Sequence, residues 1–368
     1  MTHFYAKTKV CYGEGSMDNL KTLPGKHVFI VTDAFIAKTG FVEEVKSHLS
    51  MGVLCTIFDK VEADPSLDTI TIATHLFMKS EADIIIAIGG GSAIDAAKAI
   101  AYFSNHADLL RQPPYLAVVP TTSGTGSEVT SIAVVTDKKN NLKIPLQDDM
   151  LIPDLAILDA RFTRTMPSSI TAATGMDVLT HAIEAYVSTK TNIFTSIYAE
   201  TAIKIVFKYL PRAYANGDDM EAREQLILAS CMAGMAFNNS GLGITHSVAH
   251  SLGGLFHIPH GVANAVLLPY VIEFNGFDSG FQYQNIAHCL GLPASSMDEG
   301  TNNLLKAVRQ LNASLDIPYK ISDLDINKDE YINHMPAMVN NILQDICTTT
   351  NPKKPSYEDV IRLLQKAW

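Results

Sequence analysis

Histidines are concentrated in one region of the chain, where their spacing indicates a metal site. Five of the twelve histidines lie between His181 and His260, and Asp177 stands four residues before the first of them. His246 and His250 repeat the same spacing. Since residues four positions apart lie on one face of a helix, each pair can direct its side chains toward a common point.

The types of the candidate ligands narrow the choice of metal. His260 follows a proline and precedes a glycine, which predicts a turn into the next helix. Asp177, His181, His246 and His260 offer three imidazoles and one carboxylate, a set that suits Fe(II) or Zn(II). Structural zinc sites usually contain thiolates, and no cysteine adjoins these residues. Each residue alone fits an ordinary buried, capping or ion-paired position, but the combination within one apolar helical region favours a metal site.

Three further residues of this region could support such a site. His250, His257 and Glu184 could each contact a metal ligand, transfer a proton or simply pack in a polar seam between helices. Glu184 lies seven residues after Asp177, near the same helical stripe. For Glu184 and His257, simple packing is the favoured interpretation.

The elements that must position these residues change in kind along the chain. The first part alternates short apolar runs with helical patterns, which predicts a mostly parallel sheet covered on both faces. The predicted strands lie within residues 4–16, at a sheet edge, and at 26–33, 53–58, 83–88 and 115–119, with helices at 42–49, 66–78 and 93–103. After Phe162 strand patterns nearly vanish, and helices are predicted from Pro167 and Ser168 onward, including 192–215 and 219–237. The pattern therefore predicts a domain boundary between residues 161 and 162.

Polar turns follow three of the predicted strands, at Asp33, 89–92 and 120–127. The carboxyl ends of parallel strands meet at one edge, where such sheets bind ligands. Glycines let the backbone approach a phosphate, and the helix after Ser92 directs its positive N-terminus toward it. Asp33 could accept hydrogen bonds from a ribose 2′-hydroxyl and would repel a 2′-phosphate, which favours NAD over NADP. Each turn alone also fits a helix cap, a tight turn or a plain loop, but their common edge favours a nucleotide.

The composition is typical of a folded protein that binds neither nucleic acid nor a membrane. Hydrophobic residues make up 47% of the 368 residues and charged residues 18%, enough for a large core. The net charge of −10 argues against phosphate-rich partners. The N-terminus has no signal-peptide pattern, and no apolar run reaches about 18 residues. Five scattered cysteines predict a reduced, cytoplasmic protein with free thiols.

Specific motifs give the whole chain a resemblance to the iron-dependent (group III) alcohol dehydrogenases. The motifs are Gly89-Gly90-Gly91-Ser92 with Asp95 and Lys98, and the segments 120–130, 175–184, 246–250 and 260–264. Within this family, the chain is most similar to the 1-propanol dehydrogenases of propanediol utilisation and to the alcohol dehydrogenases of ethanolamine utilisation.

The resemblance implies a Rossmann-like α/β N-terminal domain, residues 1–161, and an all-α C-terminal domain, 162–368, an architecture shared with dehydroquinate synthase. It implies that the metal ligands are Asp177, His181, His246 and His260. It also implies that His250 lies near the nicotinamide and takes part in proton transfer. The positions that match cofactor contacts are Asp33, Gly90, Gly91, Ser92, Thr121, Thr122, Thr130 and Lys143. Asp64 departs from the family pattern, in which asparagine is common, so no adenosine contact is assigned to it.

The activity that the resemblance implies is the interconversion of short-chain primary alcohols and aldehydes, such as 1-propanol and propionaldehyde. Hydride would pass to and from NAD(H), and the metal, Fe(II) or alternatively Zn(II), would lower the pKa of the alcohol. Family members are commonly dimers, so a homodimer is expected. Larger assemblies and association with a bacterial microcompartment are further expectations.

Three alternatives remain open at this point. A zinc-dependent polyol dehydrogenase of the glycerol type would share the fold, but that group usually lacks the full ligand set. A dehydroquinate-synthase-like lyase also pairs NAD with a metal, but it would need a basic pocket, for which Lys143 and Arg161 are the candidates. A non-enzymatic metal-binding scaffold would have no need for three polar turns on one sheet edge.

Overall fold

The structure, a computed structural model, describes residues 3–107, 112–139 and 142–368. It consists of two compact units: an α/β unit, Ala6–Met166, and a helical unit, Pro167–Trp368 together with the N-terminal residues up to Tyr5. The division thus falls a few residues after the position that the sequence pattern predicts. Phe162 explains the difference, because its ring packs 4.6 Å from that of Phe41 and belongs to the α/β core.

The α/β unit is built on a six-stranded sheet whose strands all pair in parallel. The strand order is β1-β8-β5-β4-β2-β3, and β6 pairs with β7 in a separate antiparallel hairpin. The strands are β1 (Lys9–Tyr12), β2 (His27–Asp33), β3 (Leu54–Val61), β4 (Ile84–Gly89), β5 (Tyr115–Pro120), β6 (Ile132–Asp137), β7 (Leu142–Gln147) and β8 (Leu155–Leu158). The helices of this unit are α1 (Phe41–Ser47), α2 (Leu67–Ser80) and α3 (Gly91–Ala107).

Both faces of the sheet are covered, which explains why its central strands are continuously apolar. Phe29 and Ile30 are consecutive in β2, so their side chains point to opposite faces. Ile30 packs in one cluster with Val42 and Val45 of α1. The ring of Phe29 meets that of Phe77 in α2 edge-on, 5.5 Å away. The prediction of a parallel sheet between helical layers is therefore confirmed.

The strands that the sequence pattern does not predict are the hairpin and the last strand of the sheet. β8 has only four residues, too few to show a period, yet it pairs with both β1 and β5. β6 and β7 contain exposed and half-buried positions that weaken the apolar signal. The predicted edge strand is confirmed as β1, although it covers only four residues.

The helical unit contains nine α-helices and, within residues 167–368, no strand. The prediction that strands give way to helices is therefore confirmed. The helices are α4 (Ser168–Val187), α5 (Ile193–Ala215), α6 (Met220–Ser240), α7 (Ile244–Phe256), α8 (His260–Asn275), α9 (Gly280–Cys289), α10 (Met297–Ser314), α11 (Lys328–Gln344) and α12 (Tyr357–Ala367).

Helix α4 is the centre of this unit, because it is buried on every face over residues 175–185. Its apolar side chains share one core with those of α5 and α6. Two glycines allow other helices to approach it closely. A Cβ on Gly175 would stand 2.3 Å from the Leu210 side chain of α5, and a Cβ on Gly261 of α8 would stand 2.3 Å from the Ala173 carbonyl oxygen. Polar residues on α4 are therefore enclosed by helices.

Two further expectations from composition concern cysteines and membrane spans. All five cysteines carry free thiols, and those of Cys231 and Cys347 are buried. In the described part of the chain, no helix combines the length and the apolar character that crossing a membrane requires.

The close approach of α8 to α4 leads to a prediction about Gly261. In Gly261→Ala the new methyl group would meet the Ala173 carbonyl, and backbone cannot rotate away as a side chain can. We expect the free energy of unfolding, measured with denaturant, to fall by about 1–3 kcal/mol. The matched control is Gly254→Ala in α7, where nothing lies within 4 Å of the added methyl. Because alanine favours helices, that variant should gain up to about 1 kcal/mol, and equal losses in both variants would contradict the packing argument.

Candidate metal centre and nucleotide site

The four candidate metal ligands come together from three helices of the helical unit. Asp177 and His181 lie one turn apart on α4, His246 lies in the first turn of α7, and His260 is the first residue of α8. Their ligand atoms all lie within 4.8 Å of one another. Asp177 Oδ1 is 3.8 Å from His246 Nε2 and 3.6 Å from His260 Nε2, and Asp177 Oδ2 is 4.0 Å from His181 Nε2.

A short turn between α7 and α8 brings two of the candidate ligands together. Helix α7 ends at His257, whose φ of 55° puts it in the left-handed region. Pro259 then occupies the N-cap position of α8, so that His260 is the first residue of that helix. The inner faces of α7 and α8 pack in one apolar cluster through residues such as Val248 and Val266. The turn from α7 to α8 therefore returns His260 to the side on which His246 lies.

The residues present fit a cation, because too few hydrogen-bond donors face their lone pairs. Asn264 Nδ2 lies 2.7 Å from Asp177 Oδ1, 3.2 Å from His246 Nε2 and 3.1 Å from His260 Nε2, but an amide group has only two hydrogens. His181 Nδ1 and Asn264 Oδ1 are buried and have no hydrogen-bond partner in the described part of the chain. Bonds of ~2.0–2.2 Å to one ion would place its ligand atoms roughly 3–4 Å apart, close to the separations seen here.

The electrostatics of the cluster keep these groups in their metal-binding forms. Burial, together with His181 and His260 nearby, lowers the pKa of His246 well below its usual value, so its imidazole is neutral near pH 7. Burial alone would raise the pKa of Asp177. The histidines around it, His181 first, outweigh that effect and lower the pKa of Asp177, so it stays a carboxylate.

Glu184 makes a direct contact with a candidate ligand, so the interpretation that it simply packs is wrong. Its Oε2 atom lies 2.6 Å from His246 Nδ1, and both residues are almost completely buried. Burial raises the pKa of Glu184 to about 6, against the lowering effect of hydrogen bonds from Thr245 and Gly243. In the sequence, the only sign of a role for Glu184 is its position near the helical stripe of Asp177. Its partner, His246, lies on another helix.

His250 lies beside the cluster and is held by a residue that the sequence reasoning missed. Its ring stacks on that of His260, with centroids 5.4 Å apart. His250 Nδ1 lies 2.8 Å from Asp345 Oδ2. Burial would raise the pKa of Asp345, but its hydrogen bond with His250 and other contacts lower it to about 2. No local motif marks Asp345, because it acts through a contact 95 residues away in the chain.

His257 takes no part in this cluster. Its side chain is exposed, and its backbone N–H caps the end of α7 by donating to the Gly253 carbonyl. The interpretation of His257 as an ordinary residue therefore agrees with its position.

In the α/β unit, the three polar turns end the neighbouring strands β2, β4 and β5, all at the same edge. A Cβ on Gly90 would stand 3.1 Å from the Thr122 side chain, and a Cβ on Gly91 2.7 Å from that of Thr125, so the second and third turns touch. Asp33 Oδ1 accepts hydrogen bonds from the backbone N–H groups of Phe35 and Ile36.

The remaining predicted cofactor residues differ in whether their polar groups already bond to other residues of the chain. Ser92 lies half-buried in the first turn of α3, and the buried Thr121 donates its backbone N–H to the Gly89 carbonyl. The hydroxyl and the carbonyl of Thr130 both accept hydrogen bonds from Lys98 Nζ. Lys143 Nζ pairs with Asp64 Oδ1 at 2.8 Å, on the surface.

Lys98 belongs to a buried polar network behind the third turn. Besides Thr130 it donates to the Ile132 carbonyl, and burial lowers its pKa to about 8. Nearby, Asp95 accepts hydrogen bonds from the Ser127 hydroxyl and the Val134 N–H. This network holds the loop between β5 and β6 from its inner side.

Comparison with known protein families gives two matches that together cover nearly the whole chain. Residues 7–160 match the family model of iron-containing alcohol dehydrogenases, and residues 171–368 match the C-terminal model of the Fe-containing alcohol dehydrogenase family.

Individual relatives agree with these matches. The chain is 40% identical to a 1-propanol dehydrogenase, PduQ, of Citrobacter freundii over all of both chains. It is 39% identical to an NADPH-dependent butanol dehydrogenase of Clostridium saccharobutylicum, over 99% of this chain and 97% of that one. Among solved structures, it is similar to a sulfoacetaldehyde reductase of Bifidobacterium kashiwanohense in complex with NAD+, with a TM-score of 0.90, 26% identity and coverage of 100% and 98% of the two chains.

The family matches cover both units, and the relatives match over their full length. They confirm the family resemblance and the fold class that the sequence motifs imply. The chain belongs to the iron-containing alcohol dehydrogenase family, and it is an oxidoreductase of the class that interconverts alcohols and aldehydes.

Proposed function

We propose that the protein oxidises short-chain primary alcohols with NAD+ and, in reverse, reduces the aldehydes with NADH, using a metal ion held by Asp177, His181, His246 and His260. The observation that carries this proposal is the convergence of these four ligand atoms within 4.8 Å. The reaction converts RCH2OH and NAD+ to RCHO, NADH and a proton. Fe(II) is the expected metal, and Zn(II) suits the same donor set.

The cluster supplies what a Lewis-acid site needs. A bound metal ion lowers the pKa of an alcohol hydroxyl or polarises an aldehyde carbonyl. Asp177 contributes the negative charge, and His246 is kept neutral by its burial, so that its Nε2 can offer a lone pair. His260 is more exposed than the other three, with 39% of its side chain accessible, which leaves an open side for substrate.

His250 is the proposed proton-transfer residue. Asp345 accepts from His250 Nδ1, which leaves Nε2 as the ring atom that can take up or release a proton. With 42% of its side chain accessible, His250 can also exchange that proton with solvent.

NAD(H) is the proposed coenzyme, and it supplies the hydride acceptor and donor. Two features support it: the glycine turn at the start of α3, where a helix N-terminus can stabilise a diphosphate, and the charge of Asp33 at the end of β2. The residues proposed to contact the coenzyme are Gly90, Gly91, Ser92, Thr121, Thr122, Thr130 and Lys143. One of the similar proteins uses NADPH, so coenzyme choice is a property that needs its own test.

The alternative functions receive less support from the described residues. A lyase acting on a phosphorylated acid would need available cations, but Lys143 pairs with Asp64, and Arg161 pairs with Asp159 and Glu44. A polyol dehydrogenase would share the nucleotide site, and a polyol panel distinguishes it. A 1-propanol dehydrogenase and a butanol dehydrogenase among the similar proteins favour short-chain alcohols as substrates. For its assembly and location, the proposal is that the protein forms a cytoplasmic homodimer that associates with a microcompartment. Its free thiols fit a reducing compartment.

Removal and return of the metal test the proposed function. Chelated apoprotein should show no anaerobic oxidation of NADH with propionaldehyde or acetaldehyde, and Fe(II) or Zn(II) should restore it. His260→Ala should bind the metal at least ~100-fold more weakly and lose turnover in parallel, because even residues behind the ligands contribute roughly 10–100-fold. His257→Asn is the control, since it removes an exposed histidine and keeps a residue that tolerates positive φ. Turnover by metal-free protein would contradict the metal assignment.

Replacement of His250 separates proton transfer from metal binding. His250→Ala should keep its metal but lose on the order of 10²-fold in turnover, with an altered pH dependence. Ser247→Ala serves as the control, because the buried Ser247 donates to the same Asp345 carboxylate through a hydroxyl, which does not titrate near neutral pH. A variant whose turnover and pH profile matched the wild type would remove His250 from the proton pathway.

Asp33→Asn tests the coenzyme assignment. The asparagine keeps an oxygen that can accept from Phe35 and Ile36 but removes the charge that would repel a 2′-phosphate. We expect kcat/KM for NADPH relative to NADH to rise on the order of 10-fold, about 1.4 kcal/mol. Asp83→Asn is the control, since Asp83 also accepts two backbone N–H groups, one on each carboxylate oxygen, but precedes β4, at the opposite sheet edge. If both variants excluded NADPH equally, another residue would control coenzyme choice.

A further inference from the structure

Glu184 is not one of the four candidate metal ligands, but both oxygens of its carboxylate make close polar contacts. It is 2% exposed and lies on α4 with Asp177 and His181. Its carboxylate accepts three hydrogen bonds from the beginning of α7. Oε1 accepts from the Thr245 N–H at 2.7 Å, and Oε2 accepts from the Gly243 N–H at 2.8 Å and contacts His246 Nδ1 at 2.6 Å.

We propose that Glu184 is a positioning residue, which fixes the tautomer and the ring orientation of His246 so that Nε2 presents a lone pair to the metal. This inference rests on the proposed metal site and adds a member to it. By accepting the Nδ1–H, the carboxylate leaves Nε2 without a hydrogen, on the side where Asp177 Oδ1 lies 3.8 Å away. An imidazole with its hydrogen on Nε2 would instead point an N–H at the cation and could not bind it.

No other group can easily replace this contact. His246 is 1% exposed, so water has little access to Nδ1. A carboxylate behind a metal-bound imidazole also increases the basicity of the ligand, and loss of such a partner typically costs 10–100-fold in metal affinity. The charge on Glu184 therefore acts on the metal through the imidazole.

The same carboxylate also caps helix α7, and the test must separate the two roles. Backbone N–H groups at a helix N-terminus lack partners within the helix, and Glu184 accepts two of them near the start of α7. Asn351 provides the comparison, because its Oδ1 accepts the Ile244 N–H at 3.2 Å at the same helix start. Its other hydrogen bonds run to Asn275 and Lys353, away from the imidazole.

The experiment compares Glu184→Gln with Asn351→Ala. Dissociation constants for Fe(II) and Zn(II) would be measured by competition with a chelator, the visible spectrum recorded for the Co(II)-loaded protein, and the melting temperature measured for the apoprotein. Glutamine has the same shape but only one acceptor oxygen for three donors, so it should weaken metal binding about 10–100-fold and alter the Co(II) spectrum. Asn351→Ala should lower the melting temperature of the apoprotein, while metal affinity stays within about 3-fold.

The outcomes are distinct. Equal losses of metal affinity in the two variants would show that Glu184 only caps α7 and would overturn the inference, as would a Glu184→Gln variant with unchanged affinity and spectrum. If the wild type itself bound no metal, the proposed function would fail first. Should Glu184→Gln not fold, Glu184→Asp takes its place. This variant keeps the charge but retracts it by one methylene, and an affinity within 3-fold of the wild type would equally overturn the inference.

Discussion

The burial of the Asp177 carboxylate is the constraint on which the helical unit depends. An ionised carboxylate without compensation in an apolar interior costs several kcal/mol, so such groups are paired, hydrogen-bonded or bound to a metal. Here the Asn264 amide supplies part of the compensation, and three imidazoles surround the rest. Since the histidines come from α4, α7 and α8, satisfying this one charge requires the three helices to approach closely. Gly261 makes the close approach of α8 to α4 sterically possible.

Two carboxylates contact histidines of this region in the same way. Glu184 faces Nδ1 of His246, and Asp345 faces Nδ1 of His250, so each imidazole has a carboxylate behind it. An imidazole with one nitrogen engaged in this way has a defined tautomer and a defined direction for the other nitrogen. The two carboxylates therefore convert flexible side chains into oriented ones. In the α/β unit, Lys98 has a comparable role, because it holds the loop around Thr130 from inside the protein.

The sequence predicts much of this because its signals are local. The parallel sheet follows from apolar runs such as β4, and the change to helices after residue 162 follows from a change of period. The i,i+4 pairs of α4 and α7 indicate a metal site, since one helix alone sets their geometry. The hairpin β6–β7 and the strand β8 are missed, because short or half-exposed strands have no clear period.

By itself, then, the sequence determined the fold class, the family, the histidine and aspartate pairs and the polar turns after β2, β4 and β5. Only the tertiary structure decided which side chains meet across helices. Glu184 meets His246 and Asp345 meets His250 over separations of 62 and 95 residues, and no periodic pattern records such contacts. The tertiary structure likewise separates His257 from His260, three residues away. His257 ends α7 in a left-handed backbone conformation and its side chain is exposed to solvent, whereas the side chain of His260 joins the cluster. Spacing along a helix fixes direction within that helix, whereas contacts between helices depend on how their surfaces pack.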